Sequence, residues 1–203
     1  MQVETPAGRA LERVFTLFSA VLRLTCGLAG APAALAVRTP PVDTALLITV
    51  VTLVTGWSVL FAVLLLRGVG RSGLMAIDLA LTIGVCLLIR RLVAPEVLPG
   101  EVSWVAILAS TSVIVAQLIL PAGGSVPAGL LVAGAYGYGA HLAGADAEAV
   151  NHASTLLLQT ACAAALAAVT RRSSRHADAA FTSYQQAVRA ALTARAARAA
   201  ERQ

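Results

Sequence analysis

Two ionisable residues stand where charge is most expensive. Arg23 and Asp78 each lie well inside a run of apolar residues. A lone charge at the centre of a membrane helix costs roughly 2.5–3.5 kcal/mol even on the mildest scale, so such residues are usually paired and often functional. A long arginine side chain reaches along its helix toward a carboxylate. Such a pair either locks two helices together or relays a proton or a signal. His141 and His152 form a second constellation, one near the end of an apolar run and the other near the start of the next. Two facing imidazoles are candidate metal or haem ligands. No cysteine, further histidine or supporting outer pattern joins them, so no metal and no cofactor is expected. Asn151, His152, Ser154, Thr155, Gln159 and Thr160 make one apolar run polar on part of its surface. Polar groups there bond across helices or line a ligand cavity.

Several motifs lose their chemistry in context. Gly68-Val-Gly-Arg-Ser-Gly73 matches Gly-x-Gly-x-x-Gly, but that fingerprint needs a strand before it and a helix after it. Here apolar runs flank it, and it reads as a tight turn. Ala135-Tyr-Gly-Tyr-Gly139 contains the triplet of a potassium filter without the Thr-Val ahead of it or a re-entrant loop. Ala135, Gly139 and Ala143 instead make a small-residue face for close helix packing. His176 is followed by Ala-Asp and lacks the His-Asp or His-Glu of a kinase phosphoacceptor box. Cys26, Cys86 and Cys162 sit in apolar runs without Cys-x-x-Cys spacing and read as small packing residues. A nucleotide site, nucleophile elbow, zinc motif and paired-carboxylate site are all missing. No catalytic residue is assigned, and no nucleic-acid partner is expected.

The elements that must position these residues are membrane helices. Of 203 residues, 58% are hydrophobic and 12% charged, and the mean hydropathy is +0.81. Thr44–Leu66 has no charge, and residues 102–145 have none either. A soluble domain needs polar cover, whereas about 20 apolar residues cross the ~30 Å of hydrocarbon as a helix. The expected fold is all-α, a polytopic membrane protein. Its six spans are Val14–Val37, Thr44–Leu66, Leu74–Ile89, Val102–Leu120, Val126–Leu142 and Glu148–Thr170. Residues 1–170 form the transmembrane domain and 171–203 a cytoplasmic helix. The first span is not read as a cleaved signal, because Arg23 interrupts it and it is long for an h-region.

Arginine placement sets the expected orientation. With the N-terminus inside, the inner flanks hold Arg9, Arg13, Arg67, Arg71, Arg171, Arg172 and Arg175, and the outer flanks hold Arg38, Arg90 and Arg91. That bias follows the positive-inside rule. Asp43, Glu96, Glu101, Asp146 and Glu148 then lie outside, Trp104 lies at the outer interface, and both termini are cytoplasmic.

Residues 171–203 carry seven Arg against two acids, with no Gly or Pro. Ala, Arg and Gln dominate, and all are helix formers. Ala177, Phe181, Tyr184, Val188 and Ala191 follow a four-three spacing that degrades after about two heptads. One reading is a basic amphipathic helix lying on anionic lipid. The other is a linker helix that pairs with its twin in a homodimer, with Phe181, Tyr184 and Val188 in the seam. The chain stops at Ala200-Glu201-Arg202-Gln203 inside the helical pattern, as one module of a longer protein does.

This plan resembles the N-terminal membrane region of actinobacterial sensor histidine kinases. The resemblance rests on Leu11-Glu-Arg-Val-Phe before the first span, Asp78 early in the third and Ala149-Val-Asn-His152 before the last. The Arg171-Arg-Ser-Ser-Arg175 run and its Ala- and Arg-rich helix complete it. The resemblance implies a dimeric sensor or signal-transmission domain in the bacterial plasma membrane. Asn151, His152, Thr155 and Gln159 would then be its stimulus-sensing face. A longer parent would carry the kinase modules and, through them, a response-regulator partner. Within these residues the expected partners are the lipid bilayer and a second copy. The other classes are a small transporter or transporter subunit, which would show inverted repeats and broken midplane helices, and a membrane scaffold with a lipid-binding basic tail.

Overall fold

A computed structural model describes residues 6–36, 42–94 and 103–200. Their regular structure is entirely helical: α1 Pro6–Ala36, α2 Thr44–Leu66, α3 Arg71–Leu87, α4 Ile89–Leu92, α5 Trp104–Ile119, α6 Ala122–Leu142 and α7 Asp146–Ala200. Arg38, Glu96, Glu101 and the terminal Glu201-Arg202-Gln203 lie outside the described residues.

Local chemistry sets most of the boundaries. The first N–H groups of a helix have no partner within it, and short polar side chains supply one. Asp43 accepts from the Leu46 N–H at 3.1 Å to start α2, and Ser103 accepts from the Ala106 N–H at 3.2 Å to start α5. Gly68 and Gly144, at φ +75° and +79°, make the turns before α3 and α7, a backbone that glycine adopts without steric cost.

The helix limits do not all coincide with the expected span limits, and several of the differences are informative. α1 is described from Pro6, ahead of Val14, and proline's fixed φ suits a first helical position. The third apolar run is broken at Leu88: its N–H is shared between Gly84 and Val85 carbonyls, and α4 follows as a separate turn. α6 starts at Ala122 and so absorbs the expected Pro121–Pro127 break. The Pro121 carbonyl accepts from Gly124 and Ser125 N–H groups at 2.9 Å, and Pro127 sits inside the helix. α7 continues from the apolar run into the basic tail as a single 55-residue helix, because nothing near Thr170 breaks it.

Among the described residues, three helices are long and apolar enough to cross a membrane: Ala7–Ala36, Thr44–Leu66 and Asp146–Arg195. At 17 and 16 residues, α3 and α5 are short for a span. α6 has the length, with 21 residues, but Gly123, Gly124, Gly129, Gly134, Gly137, Gly139 and two tyrosines lower its hydropathy.

The chain forms two compact units. The larger, Phe15–Ala167, has two buried apolar clusters. One joins Leu47, Val54, Cys86, Ile89, Val105 and Val132. The other joins Ala20, Phe61, Leu65, Met75, Val115 and Ala128. Its surface exposes Leu17, Phe18, Leu53, Leu131, Leu158 and Leu166, large apolar side chains whose exposure is compatible with lipid. Glycines allow its closest contacts. A Cβ at Gly139 would strike the Cys86 backbone carbonyl, one at Gly129 would strike Thr160, and one at Gly27 would strike Ser58. The smaller unit comprises the described parts of 1–14 and 168–203, the start of α1 with the second half of α7.

Candidate functional site

Among the described residues the largest fully buried side chain is charged. Arg23 of α1 has no exposure, and neither has Asp78 of α3. Their side chains meet, with Arg23 Nη2 2.6 Å from Asp78 Oδ1. The contact is an ion pair by proximity and not an aligned hydrogen bond, because none of the three guanidinium nitrogens directs an N–H at an acceptor among the described residues.

Asp78 is better served than Arg23. Trp57 of α2 donates its indole N–H to Oδ1 at 2.9 Å. Ser112 of α5 donates its hydroxyl to Oδ2 at 3.2 Å. A hydroxyl carries one proton, so Thr82 must be the donor in the 2.8 Å contact between Thr82 and Ser112. Thr82 lies one turn along α3 from Asp78 and shares its face. Ser19 lies one turn before Arg23 on α1, fully buried and with no hydrogen-bond partner for its hydroxyl among the described residues. Four helices thus converge on one carboxylate, and every polar member has helical backbone on both sides. One turn further along α1, α2 and α5, a small apolar pocket is lined by Cys26, Gly27, Gly30, Val54, Thr55 and Leu108.

Such a node couples its helices. Buried ion pairs contribute little net stability, but removing one partner strands a charge and costs about 3–5 kcal/mol. Any displacement of α1 against α3 incurs part of that penalty. The node therefore holds one packing of these helices against its alternatives.

Sequence reasoning names Arg23 and Asp78 but not Trp57, Thr82, Ser112 or Ser19. One signal was available for Trp57: an indole N–H in the middle of an apolar helix needs a buried acceptor.

The other predicted residues are dispersed. His141 Nδ1 lies 2.5 Å from Asp146 Oδ1 at the exposed α6–α7 turn. His152 Nδ1 lies 2.9 Å from Glu148 Oε2, and its ring stacks at 5.4 Å on Tyr136. The two histidines thus have separate carboxylates. No three His, Cys, Asp or Glu side chains gather as a metal site among the described residues. The expected sensing face is divided: His152 and Gln159 turn inward, while Asn151 and Thr155 are exposed. Gly139 sits against the Cys86 backbone, and Ala135 and Ala143 pack beside the same core cluster. Phe181, Tyr184 and Val188 are exposed at 51, 67 and 39%. Comparison with protein-family models, curated proteins and solved structures finds no match.

Proposed function

We propose that this chain is a membrane sensor or signal-transmission domain, with α7 as its output helix. The proposal includes six crossings, with α3 and α4 together making the third, and both termini in the cytoplasm of a bacterial cell. It also includes dimerisation and, in a longer parent, coupling to a histidine kinase and its response regulator. The observation that carries it is the continuity of α7, which passes from apolar to basic sequence within one 55-residue helix. A helix without a break transmits rotation or displacement along its length. The exposed stripe of Phe181, Tyr184, Val188 and Leu192 supplies a surface for a twin helix. Two tails held by one membrane dimer meet at high effective concentration, which compensates for a short seam.

Cysteine crosslinking in native membranes tests this reading. Cys26, Cys86 and Cys162 are first replaced by Ala. Single cysteines at 181, 184 and 188 should then crosslink readily, and those at 182 and 186 should not. Flat crosslinking along the tail, together with salt-sensitive binding of the tail to anionic vesicles, would favour a lipid-surface helix and overturn the transmission reading. Alkaline phosphatase fused after Arg91 or Asp146 should be active, and inactive after Arg71 or Gln203. Activity at Gln203 would overturn the topology.

A further inference from the structure

The first described turn of α1 finds a partner about 170 positions away. Pro6 opens the helix without an N–H, so Ala7 and Gly8 present the first backbone donors. Both are taken by one side chain of α7. The Ala7 N–H donates to Asp178 Oδ1 at 3.1 Å, and the Gly8 N–H donates to Asp178 Oδ2 at 3.2 Å. Asp178 is 8% exposed. It is one of only two acids in a tail that holds seven arginines. Its negative charge sits at the positive end of the α1 dipole, where a carboxylate is stabilising.

A second, electrostatic attraction agrees with the direction of this pairing. Glu12 lies close enough to Arg171 to attract it. The two helices therefore run antiparallel here: residues 7 and 8 face 178, and 12 faces 171. The docked stretch of α7 ends with Asp178. The next large apolar residue, Phe181, is already exposed at 51%, and Tyr184, Val188 and Leu192 follow it.

We infer that Asp178 is a tertiary cap that latches the tail helix to the first turn of α1. It positions the tail and marks where α7 leaves its neighbour. The first helix and the proximal tail then move as one piece, and a change that releases Asp178 frees both ends at once. The inference stands on contacts within the smaller unit and does not depend on the signalling reading. The latch can fail while the tails still crosslink, and the tails can fail to crosslink while the latch holds.

Hydrogen exchange of the full chain in nanodiscs tests it, with α2 as an internal control for folding. In Asp178→Ala, exchange at Ala7 and Gly8 should rise about fivefold or more, the ratio that loss of a helix cap implies. Tryptic cleavage after Arg9 should accelerate in parallel. Asp178→Asn keeps one acceptor without the charge, should give a smaller rise, and carries the test if the alanine variant fails to fold. Unchanged exchange and cleavage in folded protein would overturn the latch. So would a rise spread evenly through α2, which a general loosening would give.

Discussion

Asp78 and Asp178 are both buried carboxylates, with 0 and 8% exposure, yet they are satisfied in opposite ways. Asp78 is surrounded by side chains: an indole, a hydroxyl and a guanidinium from three other helices. Asp178 is met by main-chain N–H groups of one helix end. The first arrangement depends on the register of four helices at once. The second depends on one helix end reaching one side chain. A charge in the apolar interior is specified by many partners and tolerates no loss. A charge at a helix end is specified by few and can be released at modest cost.

The largest effect should follow from breaking the interior arrangement. Asp78→Ala leaves Arg23 uncompensated and should destabilise the larger unit by about 3–5 kcal/mol, read as lost monodisperse yield and a lowered melting temperature in detergent. Changing Arg23 and Asp78 together to Leu should be milder than either single change, although Trp57 then lacks its acceptor. Strictly additive losses would mean that the two residues act independently.

Gly139→Ala should come next. The added methyl meets the Cys86 carbonyl, which is backbone and cannot swing away. Overpacking of this kind costs about 1–3 kcal/mol, and thermal unfolding of the purified variant measures it. Gly134→Ala is the control, because a Cβ there meets nothing.

Asp178→Ala should lower stability by about 1 kcal/mol, the usual worth of a helix cap, Asp178→Asn should lower it less, and both should leave unfolding of the larger unit unchanged. A loss as large as that of Asp78→Ala would erase the contrast between the two carboxylates. Phe181→Ala should be smallest, within about 0.5 kcal/mol for the monomer, because its side chain is half exposed. Its effect should instead be read in the yield of the 184 crosslink.

The difference also explains what was legible in the sequence. Arg23 and Asp78 stand out because their types clash with their neighbours in the chain, and a composition reading finds such residues. Trp57, Ser112 and Thr82 are unremarkable in type, and only the mutual rotation of α2, α3 and α5 brings them to Asp78. Asp178 was hidden for a related reason: in a basic helical tail it reads as one more helix residue, and its partner is a helix start about 170 positions earlier. The helical pattern itself was legible. The Pro121–Pro127 stretch was not, because two prolines that suggest a break are also compatible with a helix start and its second turn. The break at Leu88 carries no proline or glycine to announce it.

The glycines of α6 limit how α7 can move. Thr160 seats where Gly129 has no side chain, and Ala153 lies against Gly137. One turn to either side of Gly129 stand Ser125 and Ala133, both of which carry a Cβ. A lengthwise slide of α7 would lift Thr160 out of its notch and onto one of those bumps. The helix is held as a key is held by its wards, with axial travel blocked at each step. Turning about its own axis lets Thr160 leave sideways. At this seam a turn of α7 therefore meets less steric resistance than a lengthwise slide.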